Sequence, residues 1–426
     1  MGTSDAVEIG ARIQLPEVEP MIGKEVLDVV SAEAHSRTAP YSSTRFDRWA
    51  LKRIQKFVAT APIRFVLWDG FELPSAAGAP VATMLFKERS ALYGWMWDPE
   101  LNFGETYMAG LVDIQGDLLQ LLEAIYRSFT RPRRPWYLWQ KSNDTRAAME
   151  NVHHHYDIGN DFYRLWLDDE MVYTCAYFPT EQVSLEQAQI AKHDLVCRKL
   201  HLKPGDRVIE AGCGWGSLAL HMARRYGVTV RAFNISSEQI AYARQRAAAE
   251  GLSGRVEFVQ DDYRHVQGTC DAFVSVGMLE HVGAADYPTL GQVIDRTLSP
   301  NGRGFLHFIG RDRPAPLSPW IRKRIFPGAY APTLPEVFAR VLEPYSFSVL
   351  DVHNLRWHYA KTLEHWRQRF EDASRQVQSM FDDEFVRAWR LYLTGSQASF
   401  STGSLQLFQV LFERGDKAAA PFTRAS

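Results

Sequence analysis

Asp206-Arg-Val-Ile-Glu210-Ala-Gly212-Cys-Gly214-Trp-Gly216 runs directly into a helix-forming stretch from Ser217 to Tyr226. The opening residues read as a short buried strand, and three glycines occupy the turn before the helix. Glycine lets backbone approach a ligand closely, and such a turn sits where a doubly wound sheet opens its binding crevice. The spacing is GxGxG, not the GxGxxG of dinucleotide binders. No lysine follows, as a phosphate-cradling loop would need.

The same alternation continues downstream. Val228-Thr-Val-Arg-Ala-Phe233 reads as a second strand and Ser237 to Glu250 as a second helix. Val256-Glu-Phe-Val259, Cys270 to Val276 and Gly304 to Ile309 follow as three more strands. Strands and helices in this order predict an α/β fold, a doubly wound and mostly parallel sheet with helices on both faces. Upstream the pattern differs, and a smaller N-terminal α+β domain is expected over residues 41–130. There Ile63 to Trp68 is strand-like, and Asp69-Gly70 follows as a turn. Asp117 caps an amphipathic helix reaching Phe129, with Leu118, Leu121, Leu122 and Ile125 on one face. Residues 1–40 read as a flexible leader, 131–147 as a linker broken by Pro132 and Pro135, and 148–426 as the catalytic domain.

Composition narrows the function classes. With 46% hydrophobic and 23% charged residues in 426, the chain is globular and long enough for two cores. A formal net charge of -2 gives no reason to expect nucleic acid. Cys175, Cys197, Cys213 and Cys270 form no CxxC pair or metal-ligand spacing, so no metal site and a reduced, cytoplasmic setting are expected. The first 30 residues show no signal-peptide stretch, and no apolar run reaches the ~18 residues of a membrane span. Any membrane role is therefore expected to be peripheral, on the inner face. Two segments suit it: Arg131, Arg133, Arg134 and Lys141 interleaved with Trp136 and Trp139, and Trp320-Ile-Arg322-Lys323-Arg324-Ile-Phe326. A solvated linker and a charged surface helix with one buried face are the plainer readings of the same residues.

The glycine loop resembles motif I of class I S-adenosylmethionine methyltransferases. That resemblance implies that Glu210, Gly212, Gly214 and Gly216 hold the methionine portion of the cofactor. Asn234 and Gln239 would reach the ribose, Asp262 the adenine amino group, and Tyr263 would stack. Asn234 stands where an acidic residue is commoner.

A more specific resemblance rests on several motifs in register. These are His154-His155-Tyr156-Asp157-Ile-Gly-Asn160-Asp161-Phe162-Tyr163 and Tyr173-Thr174-Cys175-Ala176-Tyr177-Phe178, then Gly277-Met-Leu-Glu280-His281-Val-Gly283. Leu306-His307-Phe-Ile309-Gly310, Ile325-Phe-Pro-Gly328, His358-Tyr359-Ala-Lys-Thr-Leu363 and Leu405 to Gly415 continue the series. Together they resemble the cyclopropane fatty acid synthases. Phe103-Gly-Glu-Thr-Tyr107-Met-Ala-Gly110 is similar to the long, phospholipid-acting members.

The resemblance implies transfer of a methylene unit from S-adenosylmethionine to the cis double bond of an unsaturated phospholipid acyl chain. An alkene is a poor nucleophile, so the donor must be held close and in line. Methyl transfer leaves a carbocation, and loss of a proton from the added methyl closes the ring. In the family a bound bicarbonate takes that proton. Cys175, Glu280, His307, Tyr359 and the backbone at Ile309 are implied to surround it, with Tyr173 and Thr174 beside the cofactor. Taken singly, Cys175 reads as a small buried residue, Glu280–His281 as a surface pair, His307 as a core histidine and Tyr359 as a packed aromatic. At Thr394-Gly395-Ser396-Gln397 some members carry a cysteine where this chain has Ser396, which favours direct transfer over a covalent enzyme intermediate. A methyl- or methylene-branching product, a small-metabolite methyltransferase and a non-catalytic lipid binder are the alternatives. The partners expected are phospholipid and a membrane surface, with room for a homodimer.

Overall fold

The structure, a computed structural model, describes residues 41–128 except Ala59, and residues 158–414. The leader, the linker with its basic and tryptophan residues, the His154-His155-Tyr156-Asp157 part of the first motif, and Gly415 lie outside the described residues.

Four strands form the first sheet: β1 (Ile63–Val66), β2 (Glu72–Leu73), β3 (Ala82–Phe86) and β4 (Val112–Gly116). Their order is β2-β1-β3-β4, with β1 and β3 parallel and the other pairs antiparallel. The helix Leu118–Ser128 packs Leu121, Leu122 and Ile125 inward. Asp117 caps it as expected, its Oδ1 accepting from the backbone N–H of Leu119 at 2.7 Å and of Gln120 at 3.3 Å.

The second sheet has seven strands: β5 (Arg207–Ala211), β6 (Thr229–Asn234), β7 (Val256–Gln260), β8 (Cys270–Val276), β9 (Leu298–Gly310), β10 (Phe347–Asn354) and β11 (Gln406–Arg414). They lie in the order β10-β11-β9-β8-β5-β6-β7. β5 to β9 are mutually parallel, and β11 runs antiparallel to both of its neighbours. The chain leaves β5 toward β6 and β7, then returns to β8 on the other side. Strand order thus reverses at β5, which places a crevice over the carboxyl ends of β5 and β8. Apolar clusters fill both faces of the sheet, and a third, aromatic-rich cluster lies over the crevice.

The strands from Arg207 to Val276 fall within a residue of their predicted positions at most ends. β9 starts earlier than expected, at Leu298, with a register shift opposite Cys270 and Ala272. β10 and the helices Arg356–Asp372 and Asp383–Ser401 were not anticipated. β11 was visible only as a motif, because eight of its nine residues are buried and no alternation remains to be read.

Side chains of the two sheet regions interlock. A Cβ on Gly104 would lie 2.2 Å from Trp320 Cγ, so the helix Pro99–Met108 touches the indole directly. Arg324 donates through Nε to Glu105 Oε1 at 2.8 Å and through Nη2 to Oε2 at 2.5 Å. Lys323 reaches the same carboxylate at 3.3 Å, and Arg387 bonds the carbonyls of Tyr107 and Val112. Trp320 and Ile325 are buried, and Lys323 and Arg324 spend their charge on Glu105.

Candidate active site

A cavity of about 1000 Å³ opens at the crevice. Tyr173, Thr174, Cys175, Glu210, Gly212, Gly214, Asn234, Gln239, Asp262, Tyr263, Glu280, His307, Ile309 and Tyr359 all line it. Gly216 is set back: a Cβ there would sit 2.6 Å from Phe258 Cζ and 2.9 Å from Ala243 Cβ. That glycine allows the following helix to pack closely on the sheet. Gly212, at φ +83°, would drive a Cβ to 2.9 Å from Met278 Cβ, whereas a Cβ on Gly214 would meet open space.

At the β5 end, burial dominates the chemistry. Glu210, next to last in β5, has Oε2 without a hydrogen-bond partner among the described residues, and burial pushes its carboxyl up to about 8. Lys192, on the helix Leu185–Leu200, is buried beside it and donates to Thr174 Oγ1 at 3.0 Å. Burial pushes this amine down, to about 8, while the two opposite charges favour each other's ionised form.

Two cofactor residues are already engaged. Asn234 Nδ2 donates to Gln239 Oε1 at 2.7 Å and to the Gly214 carbonyl at 3.3 Å. That amide orients Gln239, whose Nε2 has no hydrogen-bond partner among the described residues. Asp262 accepts from Arg264 at both carboxylate oxygens, at 2.8 and 3.1 Å, so it is held before any adenine arrives. The buried Tyr263 hydroxyl has no hydrogen-bond partner among the described residues.

Around the β8 and β9 ends, Glu280 Oε1 accepts the backbone N–H of Ile309. The Ile309 amide is thereby engaged by Glu280, and Ile309 lies on the cavity wall beside it. Glu280 Oε2 and His307 Nε2 are buried without hydrogen-bond partners among the described residues. Burial lifts Glu280 to about 7 and pushes His307 well below its usual value. Cys175 is fully buried, donates to the Ala176 carbonyl at 3.1 Å, and has its thiol raised by burial, so it is not a thiolate at neutral pH. Tyr359 stacks near Phe400, with ring centroids 4.5 Å apart, and the Tyr173 and Tyr392 hydroxyls are 2.6 Å apart. Ser396 lies on the cavity wall.

Motifs far apart in sequence meet here. A Cβ on Gly277 would touch Thr174 Cγ2 at 2.8 Å, and Trp215 Nε1 donates to Asn160 Oδ1 at 2.6 Å. Sequence reasoning missed Lys192, Trp215, His281 and Tyr392, all on the cavity wall. No local signal marked Lys192, because the helix Leu185–Leu200 also carries Glu186, Gln187, Gln189, His193, Asp194 and Arg198.

The unpartnered Glu210 Oε2, Gln239 Nε2 and Tyr263 hydroxyl beside an open glycine turn fit a polar cofactor with amino and ribose groups. This fold and site define a class I S-adenosylmethionine-dependent methyltransferase. Residues 143–410 match the mycolic acid cyclopropane synthetase family, and 50–131 match a domain of unknown function. The chain belongs to the mycolic acid cyclopropane synthetase family. It is 42% identical over 326 residues to the cyclopropane-fatty-acyl-phospholipid synthase of Escherichia coli, covering 74% of this chain and 83% of the relative. To a probable fatty acid methyltransferase of Pseudomonas putida it is 35% identical, over 82% of this chain and 91% of that one. A mycolic acid cyclopropane synthase crystallised with SAH and CTAB superposes with a TM-score of 0.59 at 31% identity, over 62% of this chain and 97% of that one.

Gly212→Val is expected to weaken cofactor binding at least about a hundredfold in calorimetry, because the new side chain displaces Met278 and distorts the turn. A pH effect on stability follows from Glu280. Its folded value of about 7 lies above the ordinary 4.5, so the folded protein holds this proton more tightly. The ligand-free protein is expected to lose stability as pH rises from about 4.5 through 7, by on the order of 3 kcal/mol from this group. Denaturant titrations across that range should show a flatter profile for Glu280→Gln.

Proposed function

We propose that this enzyme transfers a methylene unit from S-adenosylmethionine to the cis double bond of an unsaturated phospholipid acyl chain and closes a cyclopropane ring. The observation that carries this reading is the pair of buried atoms without partners, Glu280 Oε2 and His307 Nε2, on the wall of one largely apolar cavity. S-adenosylmethionine supplies an electrophilic methyl, and bicarbonate supplies a base of the right strength for the methyl proton. Glu280 and His307 present one acceptor and one nitrogen to a small oxyanion. Ile309 fixes Glu280 through its amide, and Cys175 and Tyr359 close the wall. The π faces of Tyr173, Tyr359 and Phe400 suit a carbocation forming on the acyl chain.

The cavity extends beneath the first sheet, where Trp95, Phe103, Leu122 and Ile125 give it an apolar lining suited to a long acyl chain. At its rim lie Lys56 and Phe57, the end of the helix Arg45–Phe57. That helix exposes Phe46, Trp49 and Phe57 together with Arg45, Lys52, Arg53 and Lys56. Aromatic rings and basic groups on one face suit an anionic bilayer, on the inner side of the membrane. Among the described residues no helix is long and apolar enough to cross it.

A branched product is the second reading, favoured by the likeness to the probable fatty acid methyltransferase. Labelled methionine fed to an expressing host, followed by gas chromatography and mass spectrometry of its phospholipids, separates ring from branch. No label in acyl chains would overturn both.

Glu280→Gln should lower turnover about a hundredfold and leave S-adenosylmethionine affinity nearly unchanged, since one well-aimed hydrogen bond in a dry site is worth ~3 kcal/mol. Bicarbonate depletion should reproduce the defect in wild type and add little in the variant. Wild-type turnover indifferent to depletion would remove bicarbonate from the reading. Liposome flotation should strengthen with anionic lipid and weaken with salt, and Trp49→Ala with Lys52→Ala should reduce it.

A further inference from the structure

His307 faces the cavity with one ring nitrogen and the interior of the sheet with the other. Its chemistry turns on which nitrogen carries the proton, and the surrounding strands decide that. His307 on β9 lies directly opposite Gln409 on β11, and Gln409 lies opposite His353 on β10. Sheet register thus fixes a row of three polar side chains. Gln409 and His307 are both buried.

The amide of Gln409 has two ends of similar shape, and Lys199 tells them apart. Lys199, itself 2% exposed, places Nζ 2.9 Å from Gln409 Oε1. An ammonium only donates, so the amide oxygen must face it. Asp351 holds the same ammonium at 2.9 Å. The other end, Gln409 Nε2, then lies 3.2 Å from His307 Nδ1. An amide nitrogen only donates, so Nδ1 must accept and carry no proton. A neutral imidazole with a bare Nδ1 holds its proton on Nε2, the atom buried without a partner. An imidazolium would set two N–H groups against each other, and the charges of Lys192 and Lys199 oppose it as well.

We propose that Gln409, oriented by the Lys199–Asp351 pair, is a positioning residue that locks His307 as a neutral Nε2–H donor toward the cavity. Locked this way, His307 cannot take the proton from the added methyl. It serves as a fixed donor to an oxyanion, and the base must be another group. The inference rests on the proposed reaction only for what the donor meets; the tautomer itself is independent of it.

The test is nitrogen NMR on enzyme labelled at the imidazole nitrogens, with the His307 signals assigned by their loss in His307→Gln. Wild type is expected to show a protonated Nε2 and a bare Nδ1; a protonated Nδ1 would overturn the proposal. Gln409→Glu turns the facing donor into an acceptor and should move the proton to Nδ1. It should also raise the KM for bicarbonate more than about tenfold and cut turnover about a hundredfold, with S-adenosylmethionine affinity unchanged. An unaltered tautomer in Gln409→Glu would count against the lock. Lys199→Arg keeps the donor and should keep the tautomer, whereas Lys199→Met frees the amide to rotate and should give a mixture. If Gln409→Glu does not fold, the wild-type spectrum and the Lys199 pair decide. Nε2–H in an enzyme indifferent to bicarbonate would leave the lock standing and remove only the bicarbonate reading.

Discussion

Two carboxylates, Glu210 and Glu280, stand buried at the carboxyl ends of adjacent parallel strands, and the architecture of the site follows from making that tolerable. An isolated ion in such a place costs several kcal/mol unless something answers it. The protein answers with one helix. Leu185–Leu200 crosses the sheet and places Lys192 near Glu210 and Lys199 against Gln409 and Asp351. The two lysines are two helical turns apart, so they lie on one face and reach two different parts of the same wall. Among the described residues no cation reaches Glu280; a backbone N–H from Ile309 steadies one oxygen and burial lifts the group to about 7.

That arrangement suits reaction at an unactivated double bond. Water must be absent while a cation exists, and the polar atoms left on the wall must be few and fixed. Burial holds Cys175 as a thiol and His307 neutral. Aromatic side chains supply most of the remaining surface, and the first sheet lends Trp95 and Phe103 to it. The two sheet regions are therefore tied chemically as well as mechanically, through Trp320 at Gly104 and Arg324 at Glu105. An acyl chain entering under the first sheet would meet the double-bond site without leaving apolar surroundings.

Much of this was legible in advance. The GxGxG turn and the strand–helix alternation identified the fold, and the motifs named the family. Of the site residues they named, all but Gly216 line the cavity. Hydrophobic period and turn chemistry are local properties, so they survive in one dimension. Less was legible where burial is complete. β11 shows no alternation, and the two lysines look like ordinary helix residues until the sheet covers them. In the basic segment 322–324, charge in sequence does not reveal that Glu105 lies opposite Lys323 and Arg324.

By itself the sequence determined which residue types were available and the order in which strands and helices form, since both depend on neighbours along the chain. Tertiary structure alone decided what those residues do. It spent the Ile309 amide on Glu280, turned Asn234 toward Gln239 and engaged Asp262 with Arg264. It also brought Gln409 opposite His307, 102 positions away in the chain. Hydrogen-bond direction and desolvation depend on which atoms meet in space, and only the closed sheet brings them together.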